Sequence, residues 1–398
     1  MRGTALLQRL VCPFAAAAWV VVIGPAHAIS AVDIAGAAGM PAPLPTQGES
    51  VVRDLNQDGL PDLVLSGHGQ EWPLLWQRSP GRFTTVLPGT FAASQDRHGC
   101  VAADFNRDSA LDIYCVRGAC KGICKMSYPN ELYLHQPDHT FRKIAGAWGA
   151  SDPHGRGRGA VALDFDQDGD ADLLVLNEKS TRYPDIGNHL YRNEGGKFVE
   201  VLDTPLRHAL GTMSAVVVRK PAGFPDIAME TTNGILYYKN ANGRFAAGIK
   251  ISEIDTSDVD AADMNGDDLH DLVIVRRQSL EVRINDGNYN FPKTSYTRSL
   301  SQGRDVALCE LDGDRGLDIY VVQGARPANQ DFILLNAGSG VSYTKLAVPG
   351  IARGDGDIAT CVPGIPGGLG ASVLVTNGKW MSAGNPELGP TRLVQLKP

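Results

Sequence analysis

The stretch "DLNQDGLPDLVL", residues 54–65, places acidic or amide side chains at alternating positions. A Gly, a further Asp and an apolar run follow. The pattern recurs as "DFNRDSALDIYCV" from Asp104, "DFDQDGDADLLVL" from Asp164, "DMNGDDLHDLVIV" from Asp263 and "ELDGDRGLDIYVV" from Glu310. The gap between the third and fourth copies is about twice the others, and a degenerate copy fills it. That copy, "SAVVVRKPAGFPDIAMETTNG", 214–234, keeps the flanking apolar runs and Asp226 but has lost the first acids. Another, "DIATCVPGIPGGLGASVLVTNG", 357–378, closes the series. A fixed repeat of about 50 residues excludes most single-core folds and points to an array of like units.

Each unit carries four short runs separated by Gly, Asn and Asp. A segment such as "GRGAVAL" precedes the acidic loop and an apolar run follows it. A third run ends in a turn and an aromatic, as in "NHLYRNEGGKF", and a fourth is exemplified by "FVEVL". Short runs between turn residues are strands, and four of them make one antiparallel sheet. The expectation is an all-β, seven-bladed β-propeller of four-stranded antiparallel blades. The last unit ends with "TRLVQLK", 391–397, its third strand. The missing fourth is expected from "AVDIAGAAG", 31–39, so that the N-terminal strand completes the last blade and leaves no open edge.

In D-x-N-x-D-G-x-x-D, side chains at positions 1, 3, 5 and 9 and the carbonyl of position 7 can converge on one point, with Gly permitting the sharp turn. That is an all-oxygen site suited to Ca2+. The ligand set is Asp54, Asn56, Asp58, the Leu60 carbonyl and Asp62; Asp104, Asn106, Asp108 and Asp112; Asp164, Asp166, Asp168 and Asp172; Asp263, Asn265, Asp267 and Asp271; and Glu310, Asp312, Asp314 and Asp318. Up to five Ca2+ ions are expected, with units four and seven empty. Position 12 carries Leu65, Cys115 or Val175 where an EF-hand has Glu, and a strand follows, so the EF-hand reading fails. The alternative is solvated Asx-rich turns, since these residues favour turns without metal. The loops lack His and Cys, which disfavours zinc. Magnesium dislikes wide, flexible cages. Ser109 stands where the Gly is expected, and Glu310 is a longer first arm. The formal net charge is −7. Loss of Arg2 and Arg9 with a leader would deepen it, and five divalent ions would cancel it.

These residues resemble the FG-GAP/VCBS repeat family, calcium-loop propellers also seen in integrin α-subunit heads. The segment 158–198 looks most like the extracellular bacterial branch. The resemblance implies one propeller over 29–398 and calcium in the acidic loops.

Residues 1–28 read as a cleavable signal peptide: Arg2 and Arg9, a short apolar core, then "AHA" at 26–28. The chain is expected in the periplasm or outside the cell, with no membrane span. Beyond Cys12, six Cys remain, an even number that favours disulfides in an exported chain. Cys309 and Cys361 occupy equivalent sites in units six and seven and are candidates to pair. Cys100, Cys115, Cys120 and Cys124 allow three pairings. A zinc site at 115–124 lacks paired C-x2-C units and a His pair. No basic cluster is long enough to track phosphates, which argues against nucleic acid.

The insertions at 118–131 and 178–188 offer Lys121, Lys125, Tyr128, Arg182 and Tyr183 as a ligand surface, since loops on a rigid scaffold commonly bind. The leading reading is a binding module for a glycan or protein. The alternative is a carbohydrate-active enzyme, such as a polysaccharide lyase, using His154, Arg156 and Arg158 near a channel mouth. No other catalytic constellation is present, and no catalytic residue is assigned.

Overall fold

The computed structural model describes residues 29–40, 50–65, 73–86, 91, 97–118, 128–178, 186–209, 211–253, 255–292, 294–324, 330–348, 358–376 and 391–398. They form seven four-stranded antiparallel sheets arranged as a seven-bladed β-propeller. Blade one has strands Val51–Arg53, Asp62–Val64, Leu74–Ser79 and Arg82–Thr85. Blades two and three begin at Arg97–Ala103 and Gly157–Leu163, blades four and five at Ala215–Val218 and Thr256–Ala262, and blade six at Gly303–Cys309. In each, the four strands pair in chain order.

Blade seven takes Ile358–Val362, Ser372–Thr376 and Arg392–Lys397 from the end of the chain and Ser30–Asp33 from its start. Ala31 lies opposite Leu396, and the Asp33 carboxylate accepts the Arg392 guanidinium at 2.6 Å. The closure expected from 31–39 therefore forms, over a shorter strand, and residues 35–39 turn away to pack on blade one.

Second strands are apolar on both faces because each blade is sandwiched between two others. In blade two, Ile113 and Cys115 pack towards blade one while Tyr114 and Val116 pack towards blade three. Seven hydrophobic clusters result, one at each blade interface. Fourth strands are the most exposed, as in Tyr343–Ala347.

Two disulfides fix inner strands. Cys100 and Cys115 are register partners across blade two, one of the pairings left open by sequence. Cys309 and Cys361 join blades six and seven, with Cα atoms 5.8 Å apart, as their equivalent positions suggested. Cys120 and Cys124 lie outside the described residues. Among the described residues, no helix is long and apolar enough to cross a membrane.

One strand expectation is corrected. By analogy with "FVEVL", the run "FAAGI", 245–249, is expected to form the fourth strand of blade four. Phe245 instead belongs to a separate two-stranded hairpin, Asn240–Ala241 with Arg244–Phe245, and Ile249–Lys250 completes the blade. The Gly243 turn (φ 74°) folds this hairpin back against blade three, close to Asp166.

Candidate functional site

The five acidic loops connect first and second strands and so project from one rim. Their backbone follows one plan. Position 4 is left-handed in every loop: Gln57, Arg107, Gln167, Gly266 and Gly313, with φ between 59° and 89°. Position 6 is left-handed too, as Gly59, Ser109, Gly169, Asp268 and Arg315. Ser109 thus adopts the turn that Gly was expected to supply, at φ 69°. Its N–H still reaches the Asp104 carboxylate at 2.8 Å, as that of Gly59 reaches Asp54 at the same distance.

Position 9 does more than the sequence suggested. Asp62, Asp112, Asp172, Asp271 and Asp318 are fully buried. One oxygen of each accepts the position-2 N–H, for example Leu55 at 2.9 Å and Phe165 at 3.0 Å. The other accepts an N–H at the end of the third strand, for example Gln77 at 2.9 Å and Asn193 at 2.8 Å. Each side chain therefore staples loop to sheet. Burial pushes these carboxyls up to about 6 for Asp62 and Asp271, against the downward pull of their N–H donors. Burial likewise takes Asp112, Asp172 and Asp318 up to about 7.

In loop three, oxygens of Asp164, Asp166 and Asp172 lie within 4.8 Å of one another. Asp164 Oδ1 and Asp166 Oδ1 are buried and accept no hydrogen bond. Glu310, Asp312 and Asp314 gather equally closely in loop six. In loops one, two and five position 3 is Asn, and the acids accept loop N–H groups, as those of loops three and six also do. Asp263, for example, accepts from Gly266 at 2.7 Å and Asp268 at 2.8 Å. Loops three and six thus present converging hard oxygen donors, the chemistry that suits a divalent cation. The longer arm of Glu310 does not prevent the gathering.

Blade four lacks these acids yet keeps the buried position-9 aspartate and the third-strand half of its staple. Asp226 Oδ1 accepts the Asn240 N–H, and Oδ2 accepts the Tyr237 hydroxyl at 2.6 Å. A cation is supplied internally, because Lys220 Nζ lies 2.6 Å from Asp226 Oδ1. Lys220 was not singled out from sequence; its place in "RKPAGFPD" gives no hint that it folds back.

Two sets of inter-blade ties were also missed. Gln57 Nε2 donates to the Ser109 carbonyl (2.7 Å), Arg107 to the Asp168 carbonyl (3.0 Å) and Gln167 to the Gly223 carbonyl (2.8 Å). Asn193, Asn240 and Asn336 each donate 2.8 Å back to the position-2 carbonyl of the preceding blade. The Asn recurrence in "RNEGG", "KNANG" and "LNAGS" carried that signal. The variable position-4 residues carried none.

Of the expected ligand surface, Tyr128 is half-buried with the Arg117 guanidinium over its ring at 4.4 Å. Lys121, Lys125, Arg182 and Tyr183 lie outside the described residues. The candidate lyase cluster is not an open cationic pocket. Arg156 and Arg158 are buried, and both bind the Glu178 carboxylate, at 2.5 and 2.6 Å. A uronate would have to displace Glu178.

Residues 54–115 match the FG-GAP-like repeat family model. No curated protein matches the chain by sequence. Among solved structures, it is similar to an Agrocybe aegerita lectin described as recognising non-reducing terminal N-acetylglucosamine. That match has TM-score 0.53 and 15% identity, and covers 89% of this chain and 86% of the lectin. It is also similar to BBS1N, solved in complex with ARL6DN, with TM-score 0.54 and 11% identity over 90% and 94% of the two chains. At such identities the likeness is one of fold. The chain thus carries an FG-GAP-like repeat over 54–115 within a seven-bladed propeller, which is consistent with the FG-GAP repeat family.

Proposed function

We propose that this chain is an exported, calcium-stabilised propeller occupying 29–398, cut from its leader near Ala28, that binds a glycan or a protein partner through its loops. The observation that carries the calcium reading is loop three. Three carboxylates meet there, and two of their buried oxygens accept no hydrogen bond. Without a cation, such pairs repel by on the order of a kcal/mol each even at moderate effective dielectric. A cation at that point would satisfy both oxygens and favour the ionised form of the buried Asp172. Asp164, Asp166 and Asp172 would hold one ion and Glu310, Asp312 and Asp314 another. Loops one, two and five would take theirs after the acids leave their N–H partners. The ions act as scaffolding, since they brace the strand 1–strand 2 hairpins rather than line a cleft.

The binding reading draws on the two fold neighbours, one a lectin and one a partner-binding propeller, and on the rigid blades that present the loops. A uronate-directed enzyme is less well supported because Glu178 already neutralises Arg156 and Arg158. Elemental analysis of the purified protein should find stoichiometric calcium. A glycan array probed with and without chelator should show calcium-dependent binding. Absence of calcium would overturn the scaffold reading. Calcium with no glycan signal would direct the search to protein partners.

A further inference from the structure

The turn between the third and fourth strands of blade two departs from the repeat at two positions, and both hold histidine. The third-strand residue whose N–H meets the position-9 carboxylate is Gln77 in blade one, Asn193 in blade three, Asn240 in blade four, Asn285 in blade five and Asn336 in blade six. In blade two it is His135. A few residues on, Gly81, Gly196 and Gly243 stand two positions before Phe83, Phe198 and Phe245, all left-handed at φ 75°, 92° and 74°. Blade two has His139 there, two positions before Phe141, at φ 61°.

Each histidine gives something up. The Asn193 and Asn336 amides tie their blades to the preceding ones, and Gln77 and Asn193 also accept the N–H of the turn Gly at 2.6 and 2.9 Å. Among the described residues, the His135 ring makes neither bond. A side chain at the left-handed position is less favourable than Gly. What the two gain is each other. His139 Nδ1 lies 3.3 Å from His135 Nε2, with ring centroids 5.3 Å apart and planes inclined at 56°. His135 is buried and packs edge-on against Phe141, which fixes the inner ring. His139 is exposed, so the pair can be reached from solvent.

Two ligand nitrogens on a tetrahedral zinc ion, at Zn–N distances of about 2.0–2.1 Å, stand about 3.3–3.4 Å apart. The two imidazole nitrogens already have that separation. The negative charges of Asp108 and Asp138 reach His135, so a cation is favoured there. Asp138 Oδ1 itself is taken by the Thr140 N–H and hydroxyl. Imidazole nitrogens suit zinc, copper or nickel rather than calcium, which sets this pair apart from the all-oxygen loops. Among the described residues, three His, Cys, Asp or Glu ligand atoms gather to metal spacing in loops three and six and not here. The pair therefore supplies two ligands and leaves the other positions to water or to a donor on a bound molecule.

We propose that His135 and His139 form a two-histidine site for a divalent transition-metal ion of the zinc class, beside acidic loop two. This does not rest on calcium in the loops. Titration calorimetry would add Zn2+ to the untagged protein in saturating Ca2+. One Zn2+ should bind per chain. His139→Gly and His135→Asn restore the residues that other blades use, so both are chosen to keep the fold. Each should weaken Zn2+ binding by about tenfold or more, at least the cost of losing an outer-shell partner. His208→Gln, at an exposed histidine in another blade, should bind Zn2+ as the parent does. Calcium content should be the same in all four proteins. Should one histidine variant misfold, the other decides. Two results would overturn the proposal. No Zn2+ binding by the parent would mean that the rings share a hydrogen bond and nothing more. Binding that survives both His139→Gly and His135→Asn would place the zinc elsewhere, the acidic loops included.

Discussion

Blades three and four are neighbours built on one plan, and they meet the same electrostatic problem in opposite ways. Both bury a position-9 aspartate that accepts the N–H at the end of the third strand, Asp172 in one and Asp226 in the other. In blade three it faces further acids, Asp164 and Asp166, whose carboxylates converge and each leave Oδ1 unpartnered. In blade four those acids are gone and Lys220 folds back onto Asp226. The comparison teaches that the staple belongs to the fold, whereas the source of positive charge is exchangeable: an ion from solution or an ammonium on a tether.

Removing the staple breaks both blades and should have the largest effect. Asp172→Ala leaves the Phe165 and Asn193 N–H groups without an acceptor, and Asp226→Ala leaves the Asn240 N–H and the Tyr237 hydroxyl, at about 1–3 kcal/mol per group. Denaturant melts should show losses of about 2–5 kcal/mol for each. Only Asp172→Ala should also lower the calcium content. Equal calcium in both variants would remove Asp172 from the ligand set.

Lys220→Met tests the tethered cation. It strands a buried carboxylate, and breaking such a pair costs about 3 kcal/mol. The loss should be the same with and without chelator. A loss that calcium rescues would mean blade four binds metal after all.

Asp166→Asn sharpens the other side. In chelator, the variant should be more stable than the parent by about 1 kcal/mol, because one repulsion is gone. In calcium the order should reverse, as the variant loses one ion and the stabilisation that ion brings by mass action. Thermal melts in the two conditions decide it.

The smallest effect concerns pH. His189 on the third strand of blade three lies 2.7 Å from Glu200 and 3.4 Å from Asp152. Burial disfavours its charged form, but Asp152 and Glu200 outweigh burial and hold its pKa above the ordinary value of 6.5. The folded state therefore binds this proton more tightly than the unfolded chain. The resulting stability is fully present below pH 6.5 and is lost as pH rises through the folded pKa. His189→Gln should flatten that part of the stability–pH curve while leaving calcium content unchanged.

Much of this was legible because repetition multiplies weak signals. One acidic loop could be any turn. Five in phase set the period, and the period located the blades, including the two that lack acids. The equivalence of Cys309 and Cys361 followed from the same alignment of units. What stayed hidden depends on where a single flexible side chain ends up. Lys220 reaches Asp226 and Glu178 reaches two arginines, and no spacing rule encodes such encounters. The left-handed backbone at position 4 was equally silent, since Gln57, Arg107 and Gln167 pay a strain that Gly266 and Gly313 avoid. Their side chains recover part of it by bridging to the next loop.

The pairing of Ser30–Asp33 with Arg392–Lys397 has a kinetic corollary. Asp33 and Arg392 are separated by 359 positions along the chain. Every other blade is assembled from one continuous segment of chain, so it can form as soon as that segment is available. The seventh must wait until both distant segments are present together, a search whose entropy grows with the loop it closes. Docking of one short N-terminal segment is what turns the row of blades into a circle.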